Sequence, residues 1–274
     1  MEKQIEITNP NKILYPKDAI KKLDVIKYYV CVSKYMLPYA KNRLLSVIRC
    51  HGGIDCECFF KKHPASDKDV EIFKYKGEQY FYVLDVSQLI YQAQMGTIEF
   101  HSWASRVDTL NKPDVMVFDL DPDLNLPLSK LRSAVKKVKS VLDNLSLRSF
   151  LKTSGGKGYH IVVPFKKSKD WESFYAFSKN VALFAEKTWQ DFFTTNVRKS
   201  ERKGKIFIDY LRNNTGSTCI LPYSLRAREG ATVSMPISWQ DLDKIRPNDI
   251  NINNYKRYIN DSWKDFFKLN QVIK

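Results

Sequence analysis

Residues 115–122 read Val-Met-Val-Phe-Asp-Leu-Asp-Pro. A mostly apolar run leads into two carboxylates one residue apart, and a proline follows. Read as a β-strand, the run turns Asp119 and Asp121 to the same face, because side chains alternate with period two. Two carboxylates pinned side by side repel each other unless something positive sits between them. A hard divalent cation such as Mg²⁺ or Mn²⁺ is the natural partner. A solvated strand end is the plain alternative, but the apolar run marks a buried strand that delivers the pair to one defined place.

Toward the C-terminus, leucines and valines on one face predict a helix over about 128–145, with Lys130, Lys136, Lys137 and Lys139 elsewhere on it. A strand over 148–153 follows, and then Thr153-Ser154-Gly155-Gly156-Lys157-Gly158-Tyr159-His160. Three glycines and a lysine suggest a phosphate cradle built from backbone N–H groups. This is not a Walker A loop, which opens into a helix; here Ile161-Val162-Val163 continues as a strand. The reading is a β-hairpin whose glycines let the backbone approach a ligand closely, with a plain turn as the alternative. An aromatic-rich amphipathic helix is predicted over 170–188, and a basic loop over 197–205. Ile206-Phe207-Ile208-Asp209-Tyr210 is a second apolar strand ending in an aspartate, so Asp209 is a candidate third metal ligand. Pro222-Tyr223-Ser224-Leu225-Arg226-Ala227-Arg228 puts two arginines on alternate positions of an extended segment. The tail, 238–272, reads as helical pieces with Trp239 and Trp263.

Toward the N-terminus, residues 3–8 alternate like a short strand, and 9–16 are turn-rich at both ends. Helical spacing runs from Lys22 to about Ala40, weakened near its end by Pro38. Lys12, Lys17, Lys21 and Lys22 flank the helix start, where free backbone N–H groups and the positive helix end suit a phosphate. Ordinary solvated lysines are the alternative. Residues 44–50 read as a buried strand, Gly52-Gly53 as a turn, and 56–61 as a returning strand carrying Phe59 and Phe60. Adjacent residues face opposite ways, so one ring can be exposed to stack on a base, or both can be core. A strand over 78–85, a helix over 86–95 and a strand over 97–101, ending at His101, complete this part.

The 274 residues carry 45 Lys plus Arg against 30 Asp plus Glu, a net charge of +15, and are 43% hydrophobic. That supports a real core and points to a polyanionic partner, nucleic acid first. No apolar run approaches the roughly 20 residues that span a bilayer, and no signal-peptide core follows the start, so an intracellular protein is expected. The five cysteines are an odd number, which fits a reducing compartment. Cys50, His51, Cys56, Cys58 and His63 raise zinc, but their spacing is poor for paired knuckles. There is no repeat, long linker or low-complexity stretch.

Paired acids at strand ends, a glycine-lysine hairpin, alternating arginines, aromatics and positive charge share one explanation, nucleotidyl transfer to nucleic acid. Metals would bridge the nucleotide phosphates and activate a 3′-hydroxyl for in-line attack, while arginine and hairpin hold the triphosphate. The chain resembles the polymerase domain of bacterial ligase D, the end-joining branch of the archaeo-eukaryotic primase superfamily. The resemblance is carried by ITNPNKILYP (7–16), CFFKKH (58–63), EFHSW (99–103), FDLDP (118–122), TSGGKGYH (153–160), KIFIDY (205–210) and PYSLRAR (222–228). These occur in the family's order and cover nearly the whole chain.

The resemblance implies an α/β (α+β) primase-type fold in two parts, roughly 1–110 and 111–274 of a single domain, with the site between two β-sheet subdomains. It implies Asp119, Asp121 and Asp209 as catalytic ligands of two Mn²⁺ or Mg²⁺ ions. Ser154, Lys157, His160 and Arg226 match the triphosphate set, and His101 a residue close to the incoming nucleotide. Phe59 and Phe60 match the pair that stacks against the template, and Lys12, Lys22 and Asn9 the pocket for the 5′-phosphate of a broken end. The implied activity is gap filling during non-homologous end joining, with ribonucleotides preferred, alongside Ku and a separate DNA ligase, in a cytoplasmic, nucleoid-associated prokaryotic setting. Rival readings are a replicative primase that starts chains from free nucleotides, a non-catalytic protein that binds DNA ends, and, more weakly, a metal-dependent nuclease.

Overall fold

The computed structural model describes residues 5–64 and 69–273. A small hairpin of β1 (Ile13–Tyr15) and β2 (Ile20–Lys21) precedes α1 (Lys22–Ala40). There follow β3 (Leu45–Arg49), β4 (Phe59–Lys61), β5 (Glu71–Tyr75), β6 (Glu78–Tyr82), α2 (Val86–Gln94) and β7 (Thr97–Ser102). The second half holds β8 (Val115–Pro122), α3 (Leu128–Asn144), β9 (Phe150–Thr153), β10 (Tyr159–Pro164) and α4 (Trp171–Thr188). It ends with β11 (Phe193–Thr194), β12 (Ile206–Asp209), β13 (Cys219–Ile220) and β14 (Pro236–Ile237). One sheet has the order β11-β12-β8-β10-β9-β14; the other has β13-β7-β3-β6-β5, with β4 added on β3. Every strand of the first sheet comes from residues after 110, whereas β13 crosses from that half to the edge of the second sheet. The mixed α+β architecture agrees with the class implied by the sequence.

β8 sits inside its sheet, antiparallel to both β12 and β10. Met116, Phe118 and Leu120 point into the main core and are fully buried. Val117 points the other way, against Phe150, Val162, Trp263 and Phe266 of a second apolar cluster. Val115 and Val117 share an inter-sheet cleft with Ser102 and Ile220 of the other sheet and with Trp103 just beyond β7. Period two then places Asp119 and Asp121 on this same inter-sheet face. The strand thus leaves the apolar contact between the sheets and emerges with its acids in a cavity shared with His101 and Ile220 of the other sheet.

Helix α1 buries Val25, Tyr29, Val32, Met36 and Ala40 at helical spacing and accommodates Pro38 in its last turn. Its first amides are not free for a ligand: Lys22 N–H donates to Lys12 O at 2.7 Å and Leu23 N–H to Pro10 O at 3.0 Å. The expectation of open helix N–H groups is therefore corrected, since the incoming chain caps the helix.

Two other expectations differ. Residues 3–4 lie outside the described part, and 5–8 form no strand. The main-chain groups of Thr8 pair instead with side chains, its N–H donating to Gln94 Oε1 and its carbonyl accepting from Lys22 Nζ. The tail does form the expected helical pieces, as one-turn 3-10 segments. There Asp249, Asn251 and Asn254 side chains take up local amides and compete with helix continuation. Cys50 and Cys58 are joined in a disulfide, which the reading of the cysteines did not foresee. Arg49 pairs with Phe59 across β3 and β4, so the next residues outward, Cys50 and Cys58, come face to face. That removes both from any zinc set. No helix among the described residues is long and apolar enough to cross a membrane.

Candidate active site

Three adjacent strands line up the first group. Asp209 on β12 is the cross-strand partner of Asp119 on β8, and Asp119 that of His160 on β10. His160 Nε2 stands 3.4 Å from Asp119 Oδ1, and His160 Nδ1 lies 3.3 Å from Cys219 Sγ. Asp121 follows on the same face, 3.7 Å from Arg202. The Arg202 guanidinium carbon itself sits over the Phe207 ring, 3.6 Å from its centroid. The Asp119 carboxyl is pushed up to about 7 by its recessed position and by the charges of Asp209 and Asp121. Among the described residues no three acids, histidines or cysteines are gathered around one point. Asp209 is held by Arg212 Nε at 3.0 Å and by the Leu211 amide. The donors here are all carboxylate oxygens, the type that suits a hard divalent cation.

The β9–β10 hairpin forms the next wall. Its three glycine amides are committed: Ser154 Oγ accepts from Gly156 N–H at 3.0 Å and Gly158 N–H at 3.2 Å, and Gly155 N–H donates to Pro247 O. The sequence reading of a bare amide cradle is corrected accordingly. The glycines serve close approach instead. A Cβ on Gly155 would meet Arg226 Cγ at 2.7 Å, and one on Gly156 would meet an Arg228 nitrogen at 2.8 Å. They make room for both arginines to lie across the hairpin. Arg226 donates to Ser154 O at 3.0 Å and through Nε to Glu99 Oε1 at 3.2 Å.

These groups converge on one cavity of about 370 Å³. Asp119, Asp121, Ser154, Lys157, His160, Arg226 and His101 all line it, as does Phe60. A second hollow of about 320 Å³ holds Asp209, Arg202, Phe207 and Val197, and shares Asp119, Asp121 and Arg212 with the first. The carboxylates therefore stand between two recesses, one rich in groups suited to a triphosphate, the other bordered by the basic loop.

Phe59 and Phe60 are 48% and 60% exposed. The reading in which both are core fails because β4 hangs off the edge of β3, outside the main strand order, and both rings are left exposed. Phe60 lies 6.2 Å from His101, ring to ring, and Phe59 6.4 Å from His51. Lys12 and Asn9 are exposed, and Lys22 is 7% exposed. Lys22 Nζ donates to Thr8 O at 2.7 Å. Burial and the nearby Lys12 lower the proton affinity of Lys22, so the two ammonium groups are neighbours outside the main cavity.

Residues that the sequence reading missed include Arg212, Lys152 and Glu99, whereas Arg228, read with Arg226 as an alternating pair, does line the cavity. Arg212 follows Asp209 by three residues in a single 3-10 turn, and that spacing was its available signal. Lys152 is buried and donates to Ser234 Oγ at 2.6 Å; burial lowers it to about 8. Glu99 is a buried acid between Ile98 and Phe100, and a charge in an apolar strand signals a required partner.

Comparison with known proteins follows the same lines. The LigD multifunctional non-homologous end joining protein of Pseudomonas aeruginosa is 32% identical over 98% of this chain and 34% of its own length. The bifunctional LigD of Bacillus subtilis is 31% identical over 87% of this chain and 39% of its own length. The chain thus spans about a third of the length of such relatives. Among solved structures, the polymerase domain from Mycobacterium tuberculosis Ligase D in complex with DNA superposes with a TM-score of 0.87 at 26% identity. It covers 98% of this chain and 100% of that one. The model of the LigD primase-polymerase domain matches residues 21–267, and the chain belongs to that family of nucleotidyltransferases.

Proposed function

We propose that the chain is a DNA-directed polymerase that adds nucleotides, ribonucleotides in preference, at gaps and broken ends carrying a 5′-phosphate during non-homologous end joining. The observation that carries this reading is the convergence of Asp119, Asp121, His160, Ser154, Lys157, His101 and Arg226 on one cavity. Asp119, Asp121 and Asp209 are the groups that would hold two Mn²⁺ or Mg²⁺ ions. Burial first, and then the charges of Asp209 and Asp121, raise the Asp119 carboxyl, and a divalent cation offsets both. When bound, such ions neutralise phosphate charge and make the 3′-hydroxyl a better nucleophile.

The chain's own residues do the rest. Arg226 lies across the hairpin with its guanidinium fixed by Glu99 and Ser154, a preformed donor for phosphate oxygens. Lys157, exposed at the hairpin tip, adds charge from the opposite side. His160 presents Nε2 beside Asp119. The exposed Phe59 and Phe60 rings offer faces on which template bases stack. Lys12 and Lys22, with Asn9, offer two neighbouring cations to a 5′-phosphate. Ku and a separate DNA ligase are the proposed partners, in a nucleoid setting.

The test is single-nucleotide extension on a gapped duplex with Mn²⁺, with and without the downstream 5′-phosphate. Phosphate-stimulated addition supports the reading. Addition indifferent to the phosphate, with synthesis from free nucleotides on bare single strands, favours a replicative primase. DNA-end binding without any addition favours a non-catalytic end-binding protein.

A further inference from the structure

Glu99 and His101 share one face of β7, while Ile98 and Phe100 fill the core behind them. The Glu99 carboxylate is divided between two tasks. Oε1 accepts from Arg226 Nε at 3.2 Å and from the Ala227 amide at 2.8 Å. Oε2 accepts from His101 Nε2 at 2.9 Å. One buried carboxylate on the second sheet thus holds two side chains that line the cavity beside the first.

The bond at Nε2 has a consequence for the ring. A neutral imidazole carries one proton, and the nitrogen facing a carboxylate keeps it. Burial keeps the Glu99 carboxyl from falling further, yet the bonds from His101, Arg226 and Ala227 hold it below its ordinary value, so it is ionised. Burial lowers the His101 imidazole and outweighs the pull of Glu99, so the ring is neutral near neutral pH. Nδ1 is then an unprotonated acceptor. Along the cavity, phosphate-type donors lie at the hairpin and Arg226, and the exposed Phe60 ring lies 6.2 Å from His101 on the other side. A nucleotide with its phosphates at one end and its base toward the aromatic end sets its sugar at His101.

We propose that Glu99 is a positioning residue that aligns Arg226 for the triphosphate and fixes His101 in the tautomer whose Nδ1 accepts a hydrogen bond from a sugar hydroxyl of the incoming nucleotide. This rests on the polymerase reading above and supplies a physical source for ribonucleotide preference. A site built to accept a hydroxyl hydrogen discriminates against the analogue that lacks it. In Glu99→Gln the amide NH₂ opposes His101 Nε2 as a donor, so the ring proton moves to Nδ1 and the acceptor is lost. Arg226 loses its charged partner in the same variant.

Two measurements test this on the full chain. The first is ¹⁵N-imidazole NMR of the metal-free protein near neutral pH. It has only four histidines, so the His101 signals are identified by their loss in His101→Gln. Wild type should show an Nε2–H ring with bare Nδ1, and Glu99→Gln should lose that pattern. The second is single-nucleotide addition to a gapped duplex with ATP and with dATP. In Glu99→Gln, KM should rise for both through Arg226. The ATP-to-dATP ratio of kcat/KM should fall a further five- to tenfold or so, the worth of about one hydrogen bond. A wild-type ring protonated at Nδ1 overturns the proposal. So does a wild type that adds both nucleotides equally well, or a variant that loses both in the same proportion. A wild type that adds neither nucleotide defeats the polymerase reading instead, and the spectrum still decides the tautomer without any turnover.

Discussion

Replacing Lys22 with methionine tests the phosphate pocket most sharply. The side chain is 7% exposed, and methionine keeps the apolar stem while removing the charge. Lys22 Nζ makes one strong bond, to Thr8 O at 2.7 Å. Thr8 is exposed, so water can take that carbonyl and the folded state loses little. For a bound 5′-phosphate the loss is one charge-assisted hydrogen bond, roughly 1.5–3 kcal/mol, or about 10- to 150-fold in Kd. Fluorescence anisotropy on a gapped duplex should show that loss only when the downstream 5′-phosphate is present, with a change under about threefold without it. The slope of log K against log salt should drop by about one on the phosphorylated duplex. The pH dependence has a definite sign. Phosphate binding needs the protonated amine, and burial and Lys12 lower Lys22 from its ordinary value. The phosphate-specific increment should therefore be full at neutral pH and fade on the alkaline side, below the range where an ordinary lysine titrates. Equal losses with and without the phosphate would refute the pocket and leave Lys22 as general charge.

Phe60→Ala should weaken binding to a template overhang by about 1–3 kcal/mol, the worth of one base on an aromatic ring, with little change in Tm because the ring is 60% exposed; titration with single-stranded overhangs of equal length checks it. Asn213→Ala should destabilise the fold by roughly 3 kcal/mol, because buried Asn213 bonds both main-chain groups of Val117 at 2.8 Å and the carbonyl of Tyr210 at 3.0 Å. Urea unfolding measures that loss. An unchanged midpoint would mean water replaces the side chain against β8.

The chemistry of the site was legible where it was written in short local patterns. Apolar runs ending in acids announce strands, so Asp119, Asp121 and Asp209 could be put at strand ends. The sheet then added what no local pattern holds, that β12 and β8 are neighbours in a register pairing Asp209 with Asp119. The hairpin and the close approach its glycines permit were legible, but the pairing of its amides with Ser154 was not. The use of the glycines depends on Arg226 and Arg228, some seventy residues away, pressing on them. Phe59 and Phe60 alternate like any strand pair, and the edge place of β4 leaves both rings exposed. Glu99 and Arg212 went unread because their meaning lies in their partners.

The central claim is that the row of carboxylates at the end of β8 and β12 performs nucleotide addition, and Asp119→Ala tests it most directly. Single-turnover addition to a 5′-phosphorylated gap and DNA affinity should be measured on one preparation. The account predicts loss of addition by several orders of magnitude with DNA binding equal to wild type or tighter, since a charge that repels phosphate is removed. Addition at a rate near wild type in that variant, with binding intact, would contradict it.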